Sequence, residues 1–174
     1  MKIIKQPNHA ENCFSSIRLL VLDVDGTMTD GKLYIGNDGE VMKAFCVKDG
    51  YAIAEMLPKH GITPIIITGR QSKIVENRAK ELGIKNVFQG VTDKPTLLKA
   101  IANEYEISLA EIAYIGDDMN DYAAIKLCGF KACPADAASG IRDICDYISS
   151  HNGGHGAVRD ICEKLIEGRK NKNE

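Results

Sequence analysis

This chain of 174 residues lacks a long apolar stretch, and it lacks the apolar core of a secretory signal. Those absences argue against a membrane partner and lead us to expect a soluble, cytoplasmic protein. An excess of one charge is also missing. The 22 basic residues face 24 acidic ones, for a formal net charge of −2. Such a balance offers no electrostatic footprint for a nucleic acid, and the one short polar run, the terminal GRKNKNE, is expected to fray. None of the six cysteines forms a CxxC pair, which argues against a zinc site; most are expected to be buried free thiols. No repeat or low-complexity segment is visible. What remains is an ordinary composition, 44% hydrophobic, enough for one domain with a normal core.

The local patterns alternate. IRLLVLDV at 17–24 is a continuous apolar run and predicts a strand buried on both faces. Residues 32–45 read as a β-hairpin about Asn37-Asp38-Gly39. A helical pattern follows up to Gly61, then a second buried strand at 63–69 and an amphipathic helix carrying Ile74, Val75, Ala79 and Leu82. KNVFQG predicts a third strand, and KPTLLKAIANEYEIS a helix with Pro95 in its first turn. EIAYIGDD predicts a fourth strand, MNDYAAIKLCG a helix, and GAVRDICEKLIEG a last helix after further short elements. We therefore expect an α/β fold, a doubly wound, Rossmann-like parallel sheet. The expected organisation is a loose lead-in over 1–16, one domain over 17–168 with a hairpin flap at 32–45, and a tail over 169–174.

In such a sheet, functional groups gather at the carboxyl ends of the strands. The first strand ends in Asp23 and Asp25, the second in Thr68-Gly69-Arg70, and the fourth in GDDMND with Asp117, Asp118 and Asp121. Lys94 opens a helix after the third. Two carboxylates at one strand tip repel, so something must offset them. Phosphoryl transfer would use these parts. The Asp23 carboxylate can attack phosphorus, and Asp25 can protonate the leaving oxygen and later activate water. Thr68 and Lys94 can hold the phosphoryl oxygens. The acidic residues have no lysine beside them in sequence, so a hard divalent cation, Mg²⁺, is expected to complete the cluster.

The strings DVDGT, TGR, DKP and GDDMND, in that order, resemble the four motifs of the haloacid dehalogenase-like phosphatases, over roughly residues 18–165. The resemblance implies that Asp23 is the nucleophile, Asp25 the general acid/base, and Thr68 and Lys94 the phosphate binders. It also implies that Asp117, Asp23 and the backbone carbonyl of Asp25 hold Mg²⁺, with Asp118 supporting the metal site. DGKLYIGNDGEVMKAFCVKDGYAI and NGGHGAVRDICE further resemble the branch that hydrolyses 3-deoxy-D-manno-octulosonate 8-phosphate (KDO 8-phosphate). They also resemble the phosphatase-like domain attached to some acylneuraminate cytidylyltransferases. Members of that branch are cap-less homotetramers, and where they have GGRGA this chain has GGHGA, with His155 in the arginine's place.

Spacing separately argues against a cap. The stretches between Asp30 and Thr68 and between Thr68 and Lys94 are already filled by the predicted hairpin, helices and strand. A neighbouring subunit's hairpin, apolar at Tyr34, Ile35, Val41 and Phe45, would then cover each site. A phosphorylated sugar acid has a second anionic end. Gly69 and Arg70 are the substrate-binding candidates within the subunit, and His155 or Arg159 could come from a C-terminal segment. Plainer roles stay open: a loop ion pair for Arg70, a loop histidine for His155, structural roles for Lys48 and Asp49, and helix-terminus charges for Asp118 and Asp121. Other functions stay open as well: an acylneuraminate-type 9-phosphate phosphatase, a phospho-accepting receiver domain, or a non-catalytic oligomerisation module.

Overall fold

The computed structural model describes residues 14–170. Residues 1–13, with Cys13 and most of the expected lead-in, lie outside them, as do residues 171–174 of the expected tail. The lead-in ends sooner than predicted. Phe14–Ser16 form a 3₁₀ turn, and buried Phe14 meets Phe130 edge-on with ring centroids 5.0 Å apart. The closing helix α7, Ala157–Lys170, runs past the predicted start of the tail. There the Arg169 guanidinium donates to the Ile17 carbonyl at 2.6 Å.

The central sheet has six strands: β1 (Leu19–Leu22), β4 (Thr63–Ile67), β5 (Asn86–Phe88), β6 (Ile112–Ile115), β7 (Phe130–Cys133) and β8 (Tyr147–Ile148). Their order is β5-β4-β1-β6-β7-β8, with every neighbouring pair parallel. The fully buried LLVL of β1 explains its central place, since only a strand covered on both faces can be apolar throughout. Alternation divides its side chains. Leu20 and Leu22 join the core under α7 and α3 (Lys73–Glu81), while Leu19 and Val21 join the core under α4 (Lys94–Glu104) and α5 (Tyr122–Ile125). The fold is thus the expected doubly wound α/β sheet, and its switch point lies at the tip of β1, between β4 and β6. Cys128, Cys133, Cys145 and Cys162 are buried free thiols in these cores, and Cys46 is half-buried.

Two helical segments differ from the sequence reading. The helix before Gly61 has three parts: α1 (Val47–Tyr51), a π-helical turn (Ala52–Met56) and α2 (Leu57–Lys59). Pro58 explains the widening, because its ring crowds the carbonyl four residues back, at Ala54. The helix predicted from Met119 shrinks to the single turn α5. Tight turns flank it, with Tyr122 N–H on the Met119 carbonyl and Leu127 N–H on the Ala124 carbonyl. Asp49 is structural, as one reading had it. Its buried carboxylate takes the Arg159 backbone N–H at 2.8 Å and so caps the first turn of α7.

Among the described residues no cap domain is present. Only the hairpin β2 (Tyr34–Gly36)/β3 (Gly39–Met42) and α1–α2 separate β1 from β4. The hairpin turns as predicted, with Gly39 at φ +110°. Its apolar side chains point outward: Ile35, Val41 and Met42 are 61%, 63% and 53% exposed. Phe45 instead turns inward, against the core and under the Arg78 guanidinium. Among the described residues, no helix is long and apolar enough to cross a membrane.

Candidate active site

Asp23 extends β1 by one ladder bond, its N–H donating to the Ile115 carbonyl at 3.0 Å. The chain then folds tightly. The N–H groups of Thr27, Met28 and Thr29 all point at the Val24 carbonyl, within 3.2 Å. Gly26 makes the bend at φ +90°, and a Cβ there would lie 2.0 Å from Asp117 Oδ2. Only glycine leaves room for the β6 acid to sit against this loop. A second glycine pair completes the packing from the far end of the chain. A Cβ on Gly153 would lie 1.9 Å from the Gly26 carbonyl oxygen. The Gly154 N–H donates to the Thr27 carbonyl at 3.2 Å.

Gly153→Ala should therefore push the two loops apart. We expect a stability loss of about 1–3 kcal/mol from overpacking, with a fall in turnover, in thermal melts and steady-state assays of the same preparation. An alanine variant with the parent melting temperature would show that the loops yield without cost.

Asp23, Asp25, Thr68, Gly69, Arg70, Asp117 and Asp118 all line one crevice at the switch point. Lys94 lies beneath it, 2% exposed, with Nζ 2.7 Å from Asp23 Oδ1 and 2.6 Å from Asp121 Oδ1. Helix α4 fixes this reach: the Asp93 side chain caps it through the Thr96 N–H at 3.1 Å, and Lys94 leaves the first turn inward. The acidic cluster thus has a lysine after all, supplied from a distant element. Asp121, fully buried, also accepts from the Tyr114 hydroxyl at 2.8 Å, so it is more than a helix-terminus charge.

The electrostatics of the cluster are unbalanced. Burial and the nearby Asp121 push the Asp23 carboxyl up to about 7 despite Lys94. Burial and the charges of Asp23 and Asp121 push Asp117 up to about 8. Burial pulls the Lys94 ammonium down, but Asp23 and Asp121 outweigh it and hold it above its ordinary range. Carboxylate oxygens of Asp23, Asp117 and Asp121 lie within 4.8 Å of one another, and the buried Asp121 Oδ2 has no hydrogen-bond partner. An all-oxygen set with surplus negative charge fits a hard divalent cation. The carboxylates of Asp25, expected to offer the metal its backbone carbonyl, and of Asp118, expected to support the site, are not in this triad. Asp25 turns its side chain to Arg70, whose Nε lies 3.7 Å from Oδ2, and exposed Asp118 accepts the Met119 N–H at 2.7 Å.

His155 and Arg159 are not brought into the crevice. They line a separate groove with Lys48 and His151. Arg159 pairs with Glu163 at 2.6 Å and lies over the Tyr51 ring at 5.4 Å. Sequence reasoning also missed Lys43. It follows β3, its side chain is 1% exposed, and its ammonium bonds the Asp25 carboxylate. The hairpin segment 32–45 carries two lysines, Lys32 and Lys43, and nothing in the sequence singles out the second.

Comparison with known proteins follows the same lines. The family model for haloacid dehalogenase-like hydrolases matches residues 86–161. The chain is 40% identical over 158 residues to the KDO 8-phosphate phosphatase KdsC of Salmonella typhi, covering 91% of this chain and 84% of that one. It is 41% identical over 151 residues to KdsC of Escherichia coli (strain K12), covering 87% of this chain and 80% of that one. Among solved structures it resembles the KDO 8-phosphate phosphatase of Moraxella catarrhalis in complex with magnesium, phosphate and KDO. The TM-score is 0.90 and the identity 38%, over 97% of this chain and 96% of that one. The cobalt-bound Haemophilus influenzae phosphatase superposes with a TM-score of 0.87 and 34% identity, over 91% of this chain and 92% of that one. The chain belongs to the haloacid dehalogenase-like phosphatases, in the cap-less branch of the KDO 8-phosphate phosphatases. Its activity class is accordingly that of a phosphoric monoester hydrolase.

Proposed function

We propose that the protein is a Mg²⁺-dependent phosphatase of a phosphorylated sugar acid, with KDO 8-phosphate as its substrate and KDO and phosphate as its products. The observation that carries this reading is the convergence of Asp23, Asp25, Thr68, Asp117 and, through Asp23, Lys94 at one crevice. The names of its relatives supply the substrate.

In this reading Asp23, Asp117 and the Asp25 carbonyl hold the cation, with Asp118 supporting it. The cation offsets the crowded carboxylates and the charge of the substrate phosphate. The Asp23 carboxylate attacks phosphorus and becomes an aspartyl phosphate. Asp25, in its acid form, gives its proton to the departing sugar alkoxide. As a carboxylate it then takes a proton from the water that cleaves the phosphoenzyme, which returns Asp23 to its starting state. Thr68 and Lys94 steady the phosphoryl oxygens, and Gly69 and Arg70 face the substrate at the crevice mouth.

The exposed hairpin and the missing cap also support a homotetramer with shared sites, in which a partner copy's hairpin covers the crevice. The distance of His155 and Arg159 from their own crevice suits a role in a neighbour's substrate site. Light scattering should find a tetramer. Hybrids of an Asp23→Asn subunit with an Ile35/Val41-disrupted subunit should recover part of the activity, whereas confirmed hybrids without rescue would mean that each subunit builds its site alone.

A kinetic panel with the purified protein and Mg²⁺ tests the whole reading. KDO 8-phosphate should give the highest kcat/KM. Preference for an acylneuraminate-type 9-phosphate would redirect the substrate, and no phosphate release from any member would overturn the enzyme.

A further inference from the structure

The hairpin reverses the usual arrangement of side chains. Its apolar residues Ile35, Val41 and Met42 are exposed, while the charged Lys43 and Glu40 are turned inward, with side chains 1% and 16% exposed. Lys43 Nζ bonds Asp25 Oδ1 and lies 2.8 Å from Glu40 Oε1. Glu40 Oε2 in turn accepts from the Ser72 hydroxyl, and the Ser72 N–H donates to Gln89 Oε1 at 2.8 Å. Ser72 stands at the N-cap of α3, where its side chain makes no capping bond and its hydroxyl donates to Glu40. One chain of contacts thus joins the β1 loop, the hairpin, the start of α3 and the end of β5.

We propose that Lys43 is a positioning residue for the acid/base carboxylate, so that proton transfer by Asp25 depends on the hairpin being seated. The proposal rests on the reading of Asp25 as the acid/base. Geometry gives the two oxygens of Asp25 different duties. Oδ1 is committed to the buried ammonium. Oδ2 is 3.7 Å from the Nε of half-exposed Arg70, a residue that lines the crevice, and is the oxygen left to carry the transferred proton. Lys43 itself gains and loses no proton. A bond to one oxygen of a carboxylate fixes its rotamer, and an acid held within reach of a leaving oxygen works better than one that swings. The exposed hairpin tip then gains a second role. Whatever seats it also aligns Asp25, through Glu40 and Lys43.

The test compares leaving groups. An alkyl phosphate, the sugar-acid substrate, needs a proton on its departing oxygen, whereas p-nitrophenyl phosphate does not. Lys43→Met keeps the stem and removes the charge. We expect it to slow single-turnover phosphorylation of Asp23 by about 10²-fold on the alkyl phosphate, within the range of general acid catalysis. The loss should be several-fold at most on p-nitrophenyl phosphate, with KM little changed, and Lys43→Arg should restore most of the rate. In an Asp25→Asn background, Lys43→Met should add nothing. Equal losses on both substrates, a loss confined to KM, or full additivity with Asp25→Asn would overturn the proposal. Asp25→Asn, measured alone on the same pair, separates the two claims. If it shows no dependence on leaving group, the acid/base reading falls. If it shows the dependence and Lys43→Met does not, only the positioning role falls. Should Lys43→Met fail to fold, Glu40→Gln, which loosens Lys43 without touching Asp25, is to be read on the same substrates and should show the same leaving-group bias in weaker form; no bias in that folded variant would overturn the proposal.

Discussion

Asp23→Asn is expected to abolish turnover, with kcat falling by at least about 10⁴-fold, as losses of a covalent nucleophile do elsewhere. The substitution is nearly isosteric, so the fold should survive it. The amide can still accept a bond from Lys94, and the backbone N–H of residue 23 keeps its ladder bond to Ile115. What disappears is the anionic oxygen that attacks phosphorus, and with it one negative charge of the crowded triad. Circular dichroism and thermal melts establish the fold, and phosphate release measures the chemistry. Turnover near that of the parent in a folded variant would remove Asp23 from the mechanism.

Removal of the metal should be nearly as severe. Asp23, Asp117 and Asp121 place three buried or half-buried carboxylates around one point, with one ammonium to balance them. A divalent cation contributes several kcal/mol to phosphoryl-transfer transition states, which corresponds to a loss of about 10³-fold or more on chelation. EDTA-treated protein should therefore be inactive and should recover on addition of Mg²⁺. Ca²⁺ should restore little, because its larger and looser coordination shell misplaces the attacking oxygen. Full activity after thorough chelation, checked by elemental analysis of the same sample, would refute the metal site.

Much of this site was legible in the sequence because the fold fixes it locally. A buried apolar run that ends in acids forecasts a strand tip, and the parallel sheet brings such tips together. Asp23, Thr68 and Asp117 needed no more than that. Lys94 was legible as a residue type at a helix start, but not its grip on Asp121, which depends on how α4 faces β6. Lys43 was missed because hairpin alternation predicts faces only while the strands stay paired. It follows the last paired residue, Met42, where the chain leaves the ladder and turns its side chain to Asp25. Of the glycines at 153 and 154, only Gly154 takes a left-handed angle, at φ +69°. That Gly153 is needed for close approach depends on a neighbour, Gly26, at the other end of the chain. His155 and Arg159 line another groove of their own subunit, and a single sequence says nothing of how that groove meets a neighbour's crevice.

The contact between Gly153 and the Gly26 carbonyl also orders events in time. The loop that follows the nucleophile leaves the ribosome well before its packing partner at Gly153. Helix α7, which covers Leu20 and Leu22, emerges later still. Residues 23–30 can therefore reach their working shape only after residues 153–154 have been synthesised. A nascent chain that stops short of residue 150 holds every motif acid but lacks the packing partner of the loop that follows Asp23. Pairing across such sequence separations makes parallel sheets slow to fold, so gain of activity should trail gain of helix signal when the denatured protein is returned to native buffer.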